Sequence, residues 1–370
     1  MFKIRTKKSV KRKKTSGFDK NLLVITLILV IVGIIFMADA SAPKAIKDFG
    51  DKYYFVRQQL LWLGVGLVLM VFTSVINYKI WEKWAVIIFF FSLFSLVAVL
   101  IPGIGVSLLG ARRWINIFGV SFQPSEFAKL ALAIYLAKVA AKGKRLSAFF
   151  LPLIVVSIIT MLQPDLGTTI IIVAIAMIQI FISGINLLYM FGAVIFLGIS
   201  AMVLILTSDY RRDRLFTYLE QTTDPLGKGY HIRQILYALG SGGFLGVGLG
   251  QSMQKHLFLP ETATDSIFAV IAEEIGFLGA SFFIFLFVFL IFRIIKISKG
   301  APDVFGKVLA MGISGWFGAQ IILNVSSMVA LVPLTGIPLP FISYGGSAIV
   351  SNLIAIGVLL NISKKSHEKD

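Results

Sequence analysis

Three sets of ionisable residues in this chain could do chemistry. Glu126 and Lys129 lie three residues apart, so on a helix they share a face and can pair. Such a pair can simply lock its helix, or it can turn an ammonium toward an anionic substrate while the carboxylate steers it. Asp265 stands directly before an apolar run, in Thr262-Ala263-Thr264-Asp265. Locally that pattern reads first as a helix cap. A carboxylate at a helix N-terminus also stays ionised, fit to accept a proton or hold a divalent cation. The third set is basic: Arg112 and Arg113, then Arg211, Arg212, Arg214, Lys228, Arg233 and Lys255. Arginines left unpaired would clamp a diphosphate, but six acids share the later stretch, so internal pairing competes.

Other groups have plainer readings. Glu273 and Glu274 fall about 12 Å further down the helix that Asp265 opens. Being adjacent, they point apart and form no dyad; bonding to a neighbouring helix is expected, with a proton path the sharper alternative. Asp165, after Gln163-Pro164, reads as a cap. Gly242, Gly246 and Gly250 recur every four residues, without the Lys-Ser/Thr or GxGxxG of a nucleotide loop; a close-packing glycine face is expected. No ATP site is evident, and the absence of cysteine removes thiolate metal sites.

These residues must be positioned by an unusually oily chain. Of 370 residues 57% are hydrophobic and only 14% charged, with mean hydropathy +0.89. A soluble core could not bury that much apolar surface, and disorder is excluded by the same numbers. An all-α polytopic membrane protein of about ten transmembrane helices is expected. A span needs about 20 apolar residues, and Asn21–Ala38, Gln58–Tyr78, Trp84–Ala111, Leu146–Pro164 and Ile275–Phe292 each supply one. Leu166–Ser208 divides in two at Ser183-Gly184-Ile185-Asn186, and Val308–Ser363 divides around Pro333, Pro338 and Pro340. Gln123–Ala140 is a helix carrying Glu126 and Lys129, while Asp209–Asp265 is too polar to cross.

An even number of spans puts both termini on one side. That side carries 22 Lys and Arg against 12 on the other, which makes it cytoplasmic. The net charge of +17 is then an orientation and anionic-lipid signal rather than a nucleic-acid one. Ala38-Asp39-Ala40 resembles a signal cleavage site, but the 18-residue apolar run before it is too long for a signal peptide, so it reads as an uncleaved first span. The expected organisation is a basic cytoplasmic tail at 1–20, one membrane domain at 21–363 and a short cytoplasmic tail at 364–370. A large outer loop at 209–265, between helices 7 and 8, holds Phe216, Tyr218, Tyr230 and Tyr237; loops of that length are usually functional.

With these elements in place, several motifs resemble one family. They are Gly110-Ala111-Arg112-Arg113-Trp114-Ile115, Phe122-Gln123-Pro124-Ser125-Glu126-Phe127-Ala128-Lys129 and Gln163-Pro164-Asp165-Leu166-Gly167-Thr168. Leu259-Pro260-Glu261 through Asp265, Ala272-Glu273-Glu274-Ile275-Gly276 and Pro338-Leu339-Pro340-Phe341-Ile342-Ser343-Tyr344-Gly345-Gly346-Ser347 follow in order. The whole chain, first span to last, resembles the shape, elongation, division and sporulation (SEDS) family. Gly248-Leu249-Gly250-Gln251-Ser252-Met253-Gln254-Lys255 is more similar to its division branch than to its elongation branch.

The resemblance implies a peptidoglycan glycosyltransferase in the bacterial cytoplasmic membrane, at the division septum for the division branch. It would polymerise lipid II at the outer face, release polyprenyl diphosphate, and work beside a class B penicillin-binding transpeptidase and other divisome or elongasome membrane proteins. It places the family's loop aspartate on Asp265, its helix-four pair on Glu126 and Lys129, and its Tyr-Arg-x-x-Arg arginines on Arg211 and Arg214. Two residues depart from the pattern: His231, where glutamine is usual, and Ser266, where phenylalanine is common. Asp265 would orient and deprotonate the acceptor hydroxyl; Lys129, Arg112, Arg113, Arg211 and Arg214 are the cations for the leaving diphosphate. The donor already carries the energy, consistent with the missing ATP site. No cofactor is required, although a divalent cation, Mg2+ or Mn2+, would suit the chemistry; no ligand cluster beyond single carboxylates can be named. The competing classes are a lipid II flippase, which would put weight on Glu273, Glu274 and Asp165, and a non-catalytic division scaffold.

Overall fold

The computed structural model describes residues 17–108, 111–117, 120–143, 145–206, 212 and 229–369. The first helix, α1 (Lys20–Phe49), starts where Asp19 accepts a bond from Leu22 N, and it ends at Gly50 in the left-handed conformation. It runs unbroken through Ala38-Asp39-Ala40 and past Pro43, so the first span is longer than its apolar window. Next come α2 (Tyr54–Val75) and α3 (Lys79–Ala98).

Here a short sheet interrupts the otherwise helical chain. The window Trp84–Ala111 is not one helix, because α3 stops at Ala98. Residues 105–122 instead form a three-stranded antiparallel sheet of β1 (Gly105–Leu108), β2 (Ala111–Ile117) and β3 (Val120–Phe122). Pro102 and Gly105 break the helix, and Gly105 lies so close to Val99 O that no side chain would fit. Val, Ile and Trp then favour extended pairing, with Gly105 opposite Ile115 and Ile115 opposite Phe122.

Six more helices complete the spans: α4 (Pro124–Ala141), α5 (Ser147–Leu162), α6 (Leu166–Ile182), α7 (Leu187–Leu206), α9 (Ile267–Gly300) and α10 (Val304–Met328), before a last one, α11 (Gly346–Lys369). Inside the outer loop, α8 (Tyr230–Gly242) is a short amphipathic helix packed on α9. The ten expected spans correspond in order to α1–α7 and α9–α11. Six of them are apolar and long enough to cross a membrane on composition alone, and α5 and α6 are shorter apolar helices. The remaining two, α4 and α7, take their places from the order of the chain.

The two ends of the helical body meet. Asp19 N donates to Ser363 Oγ at 3.0 Å and the Asp19 carboxylate takes Arg293 at 2.5 Å, so both ends of the membrane body lie at one face. On that face Tyr78 Oη and Lys79 Nζ converge on Asp303 at 2.5 and 2.8 Å. Burial alone would raise the Asp303 pKa, but a bond from Gly306 N and the Lys79 ammonium carry it below the usual carboxylate value. The core runs between α1, α9, α10 and α11, while α4, α5 and α6 close a second apolar cluster.

One span is broken. At Gly276 the backbone of α9 is non-helical, with φ +67. Residues 243–248 supply the missing bonds: Val247 N to Glu273 O and Gly248 N to Glu274 O, both 3.0 Å, then Phe277 N to Gly243 O at 2.9 Å. The approach needs bare backbone, since a Cβ on Gly242, Gly246 or Gly276 would sit within 2.4 Å of the facing main chain. The glycine face expected from the spacing is therefore real at Gly242 and Gly246.

Candidate functional site

Asp265 lies half-buried at the head of α9. The capping expectation does not hold for it, because the helix begins at Ile267 and its N-cap is Ser266. The Ser266 hydroxyl shares a 2.8 Å hydrogen bond with His231 Nε2 on α8 rather than capping. The two departures from the family pattern are thus partners. Asp265 is held by its backbone. Three successive carbonyls accept bonds: Ala263 O from Tyr344 N at 2.8 Å, Thr264 O from Ser343 Oγ at 2.5 Å, and Asp265 O from Asn324 Nδ2 at 2.9 Å. Asp265 Oδ2 also reaches within 3.3 Å of where a Cβ on Gly336 would be, and Gly336 has φ +69. Glycine serves both needs, a left-handed turn and room for the carboxylate.

Glu126 and Lys129 behave as their spacing suggests. Pro124 opens α4, which puts Glu126 in the first turn, where an acid suits the helix dipole. Lys129 is 1% exposed; its Nζ donates to Glu126 Oε1 at 2.8 Å and to Gln320 Oε1 at 3.2 Å, and it lies 5.0 Å from the Trp316 ring centre. Glu126 Oε2 is buried with no hydrogen-bond partner. A cation and an incompletely paired carboxylate inside a membrane body are costly, which is the usual mark of a working site.

Gln320, Asn324 and Trp316 were missed in the sequence, and α10 brings them in. Gln320 Oε1 accepts from Trp316 Nε1 at 2.8 Å and its Nε2 donates to Pro338 O at 2.7 Å. One turn on, Asn324 Nδ2 bonds both Asp265 O and Ile337 O. Neutral amides do not interrupt a hydropathy window, but polar residues four apart in a span were the available signal.

The arginines separate. Arg113 Nε donates to Gln163 O at 3.2 Å and its Nη2 to Pro164 O, with Asp165 Oδ2 4.0 Å away. It ties the sheet to the α5–α6 turn. Arg112, its neighbour on β2, is exposed. Arg211 and Arg214 lie outside the described residues, and Arg212 is exposed. Asp165 caps α6 as expected, accepting from Thr168 N at 3.0 Å and Thr168 Oγ1 at 2.8 Å.

Glu273 and Glu274 also diverge as expected, though onto the outer loop and α8. Glu273 accepts from Ser252 Oγ at 2.5 Å, Met253 N at 3.1 Å and Ser241 Oγ at 3.3 Å. Glu274 accepts from Lys255 Nζ at 2.9 Å, and the same ammonium reaches both Asp39 oxygens, on α1, at 2.7 and 2.6 Å. Burial by itself would lower the Lys255 pKa, yet these carboxylates hold it above the ordinary lysine value.

Among the described residues no group of three or more His, Cys, Asp or Glu could hold a metal. A 380 Å3 cavity lined by Lys79, Glu82, Lys83, Lys138 and Lys142 contains none of the candidate residues.

A half-buried loop aspartate, a buried acid–base pair and, among the described residues, six helices apolar and long enough to cross a membrane together with shorter ones define a polytopic membrane protein with an ionisable site at its loop-bearing end. The family model described as "Cell cycle protein", covering FtsW, RodA and SpoVE, matches residues 19–368. The chain belongs to this family. It is 43% identical over 363 residues to stage V sporulation protein E of Bacillus subtilis, covering 96% of this chain and 99% of that protein. It is 41% identical over 358 residues to a probable peptidoglycan glycosyltransferase FtsW of Trichlorobacter lovleyi, covering 95% and 94%. Among solved structures it resembles a chain from a study of "Structural coordination of polymerization and crosslinking by a peptidoglycan synthase complex", with TM-score 0.78, 25% identity, and 95% and 99% coverage. It is also similar to the rod shape determining protein RodA of Thermus thermophilus, with TM-score 0.69, 25% identity, and 93% and 96% coverage.

Proposed function

We propose that this protein is a peptidoglycan glycosyltransferase that polymerises lipid II at the outer face of the cytoplasmic membrane, with Asp265 as the general base. Glycosyl transfer for peptidoglycan is the activity named for its FtsW relatives. The observation that carries the residue assignment is the anchoring of Asp265: three backbone bonds and a glycine hold the segment while the carboxylate stays half-buried. In the reaction a hydroxyl oxygen of the acceptor disaccharide attacks the anomeric carbon of the donor. That bond forms as the bond to the lipid diphosphate breaks, and the hydroxyl proton passes to Asp265. A free aspartate has a pKa of about 4, so its role depends on being placed within hydrogen-bond reach of the hydroxyl. The departing diphosphate gains negative charge, which Lys129, Arg112 and the outer-loop arginines Arg211 and Arg214 would stabilise.

A divalent cation bound beside the leaving group would neutralise diphosphate charge, with Asp265 as a single carboxylate ligand; among the described residues no group of three or more His, Cys, Asp or Glu could hold one. The partner would be a class B penicillin-binding transpeptidase, as the polymerisation and crosslinking of the similar complex suggests, and the place of action the division septum. The flippase alternative is weaker, since Glu273, Glu274 and Asp165 are engaged in loop bonds and a cap.

The test is polymerisation of purified lipid II by the full chain, with and without its transpeptidase partner and a chelator. Asp265→Asn should lower the rate at least ~10²-fold, the lower end for an acid–base group. An unchanged rate removes Asp265 from the mechanism.

A further inference from the structure

The segment that carries Asp265 leads into α9 and the ammonium of Lys129 stands on α4, yet both are bonded to one face of α10. Gln320 and Asn324 are four residues apart and 0% and 1% exposed. Gln320 Oε1 takes Lys129 Nζ, and its Nε2 takes Pro338 O. Asn324 Nδ2 takes Ile337 O and Asp265 O. The two amides therefore grip adjacent carbonyls of a single peptide segment, Ile337-Pro338, with their inner donors. Their remaining contacts run outward, one to the cation and one to the aspartate segment. Trp316, a further turn back, pins Gln320 through its indole N–H at 2.8 Å.

Neither amide can titrate or act as a base, and a single α10 turn of about 5.4 Å separates them. A helix is stiff at this length, so the spacing between the two amides is fixed. We propose that Gln320 and Asn324 are positioning residues for the reaction: together they set where the Lys129 ammonium stands relative to the Asp265 carboxylate, with Ile337-Pro338 as the shared anchor. The proposal rests on the reading of Asp265 as base. It assigns no substrate contact to either amide. Buried amides are expensive to leave unpaired, and here, Trp316 apart, the side-chain amides bond either a residue of the site or the anchor that serves both.

Steady-state polymerisation of lipid II by the full chain, with its transpeptidase partner present, tests this. The variants are Asn324→Asp, which keeps the shape but turns donors into acceptors facing two carbonyls, and Gln320→Met, which keeps volume but frees Lys129. Each should lower kcat about 10–100-fold with KM changed less than about 3-fold, the pattern of misplaced groups rather than lost binding. Gln320→Met combined with Lys129→Met should be no worse than Lys129→Met alone, because the amide acts through the ammonium. The same Gln320→Met change should add fully to Asp303→Asn at the far end.

If Asp265→Asn is inactive while both α10 variants keep kcat within 2-fold, the positioning role is wrong and the base assignment stands. If Asp265→Asn is fully active, the underlying reading has failed whatever the amides do. Recovery of no folded protein for both α10 variants, read as loss of the single size-exclusion species, would also overturn the proposal by making the role structural. Full additivity of Gln320→Met with Lys129→Met counts against it in the same way.

Discussion

Among the described residues two lysines are buried, and their surroundings differ in one respect. Lys255 is 4% exposed and sits between two carboxylates, taking both oxygens of Asp39 and one of Glu274. Lys129 is 1% exposed and has one carboxylate, Glu126, whose second oxygen has no partner, plus the neutral Gln320. The first is saturated with charge and joins α1, the outer loop and α9. The second is incompletely satisfied. Burial and residue type are the same, so the two differ in how fully the surroundings satisfy the charge, and on that difference the first is the lock and the second is proposed as the working group.

Breaking the lock should give the largest effect. Lys255→Met leaves Asp39 and Glu274 facing each other without a cation, and removing one partner of a buried ion group costs about 3–5 kcal/mol. The expected outcome is a large fall in melting temperature, measured by tryptophan fluorescence in detergent. A Lys255→Met protein that melted normally but could not polymerise would erase the distinction drawn here. Next, Glu126→Gln with Lys129→Met removes both charges of the working pair together. Neutral replacement of a buried pair is often tolerated, so the melting point should move by only a few degrees while polymerisation falls at least ~10²-fold. A protein both active and stable would make the pair dispensable.

A smaller change sharpens the picture at the lock. Asp39 is 28% exposed on its side chain, so Asp39→Asn should cost about 1 kcal/mol, the scale of a single charge-assisted bond partly screened by water. The smallest effect is one of pH. The Lys255 pKa is raised in the folded protein, so its contribution is complete below the unfolded lysine value of about 10.4 and fades as pH rises through the higher folded value. Thermal melts from pH 8 to 11 should therefore show an alkaline loss of stability that Asp39→Asn reduces.

Much of the architecture was legible because a bilayer is a blunt solvent. Charge-free runs located the spans, and the lysine and arginine bias put the two ends on one face, where Asp19 and Ser363 do meet. Span boundaries were not legible, because hydropathy does not distinguish a helix from an apolar strand; Trp84–Ala111 concealed the end of α3 and the start of a sheet. The pairing of Glu126 with Lys129 was legible because spacing carried it. The cap beside Asp265 was not, since it falls one residue on, at Ser266. Nor were Gln320 and Asn324 legible, neutral amides that no charge map records.

Periodicity and charge are properties of neighbours along the chain, so the residues alone determined the membrane class, the span order, the paired acid and base on α4 and the glycine face before the kink. Partners distant in sequence are decided only when helices pack. The His231–Ser266 bond, the engagement of Arg113 with the α5–α6 turn and the α10 bridge between Lys129 and Asp265 each depend on side chains about 30 to 190 residues apart meeting within hydrogen-bond distance. Hydrogen bonds fade within a fraction of an ångström, and no pattern read along one strand of sequence carries that precision.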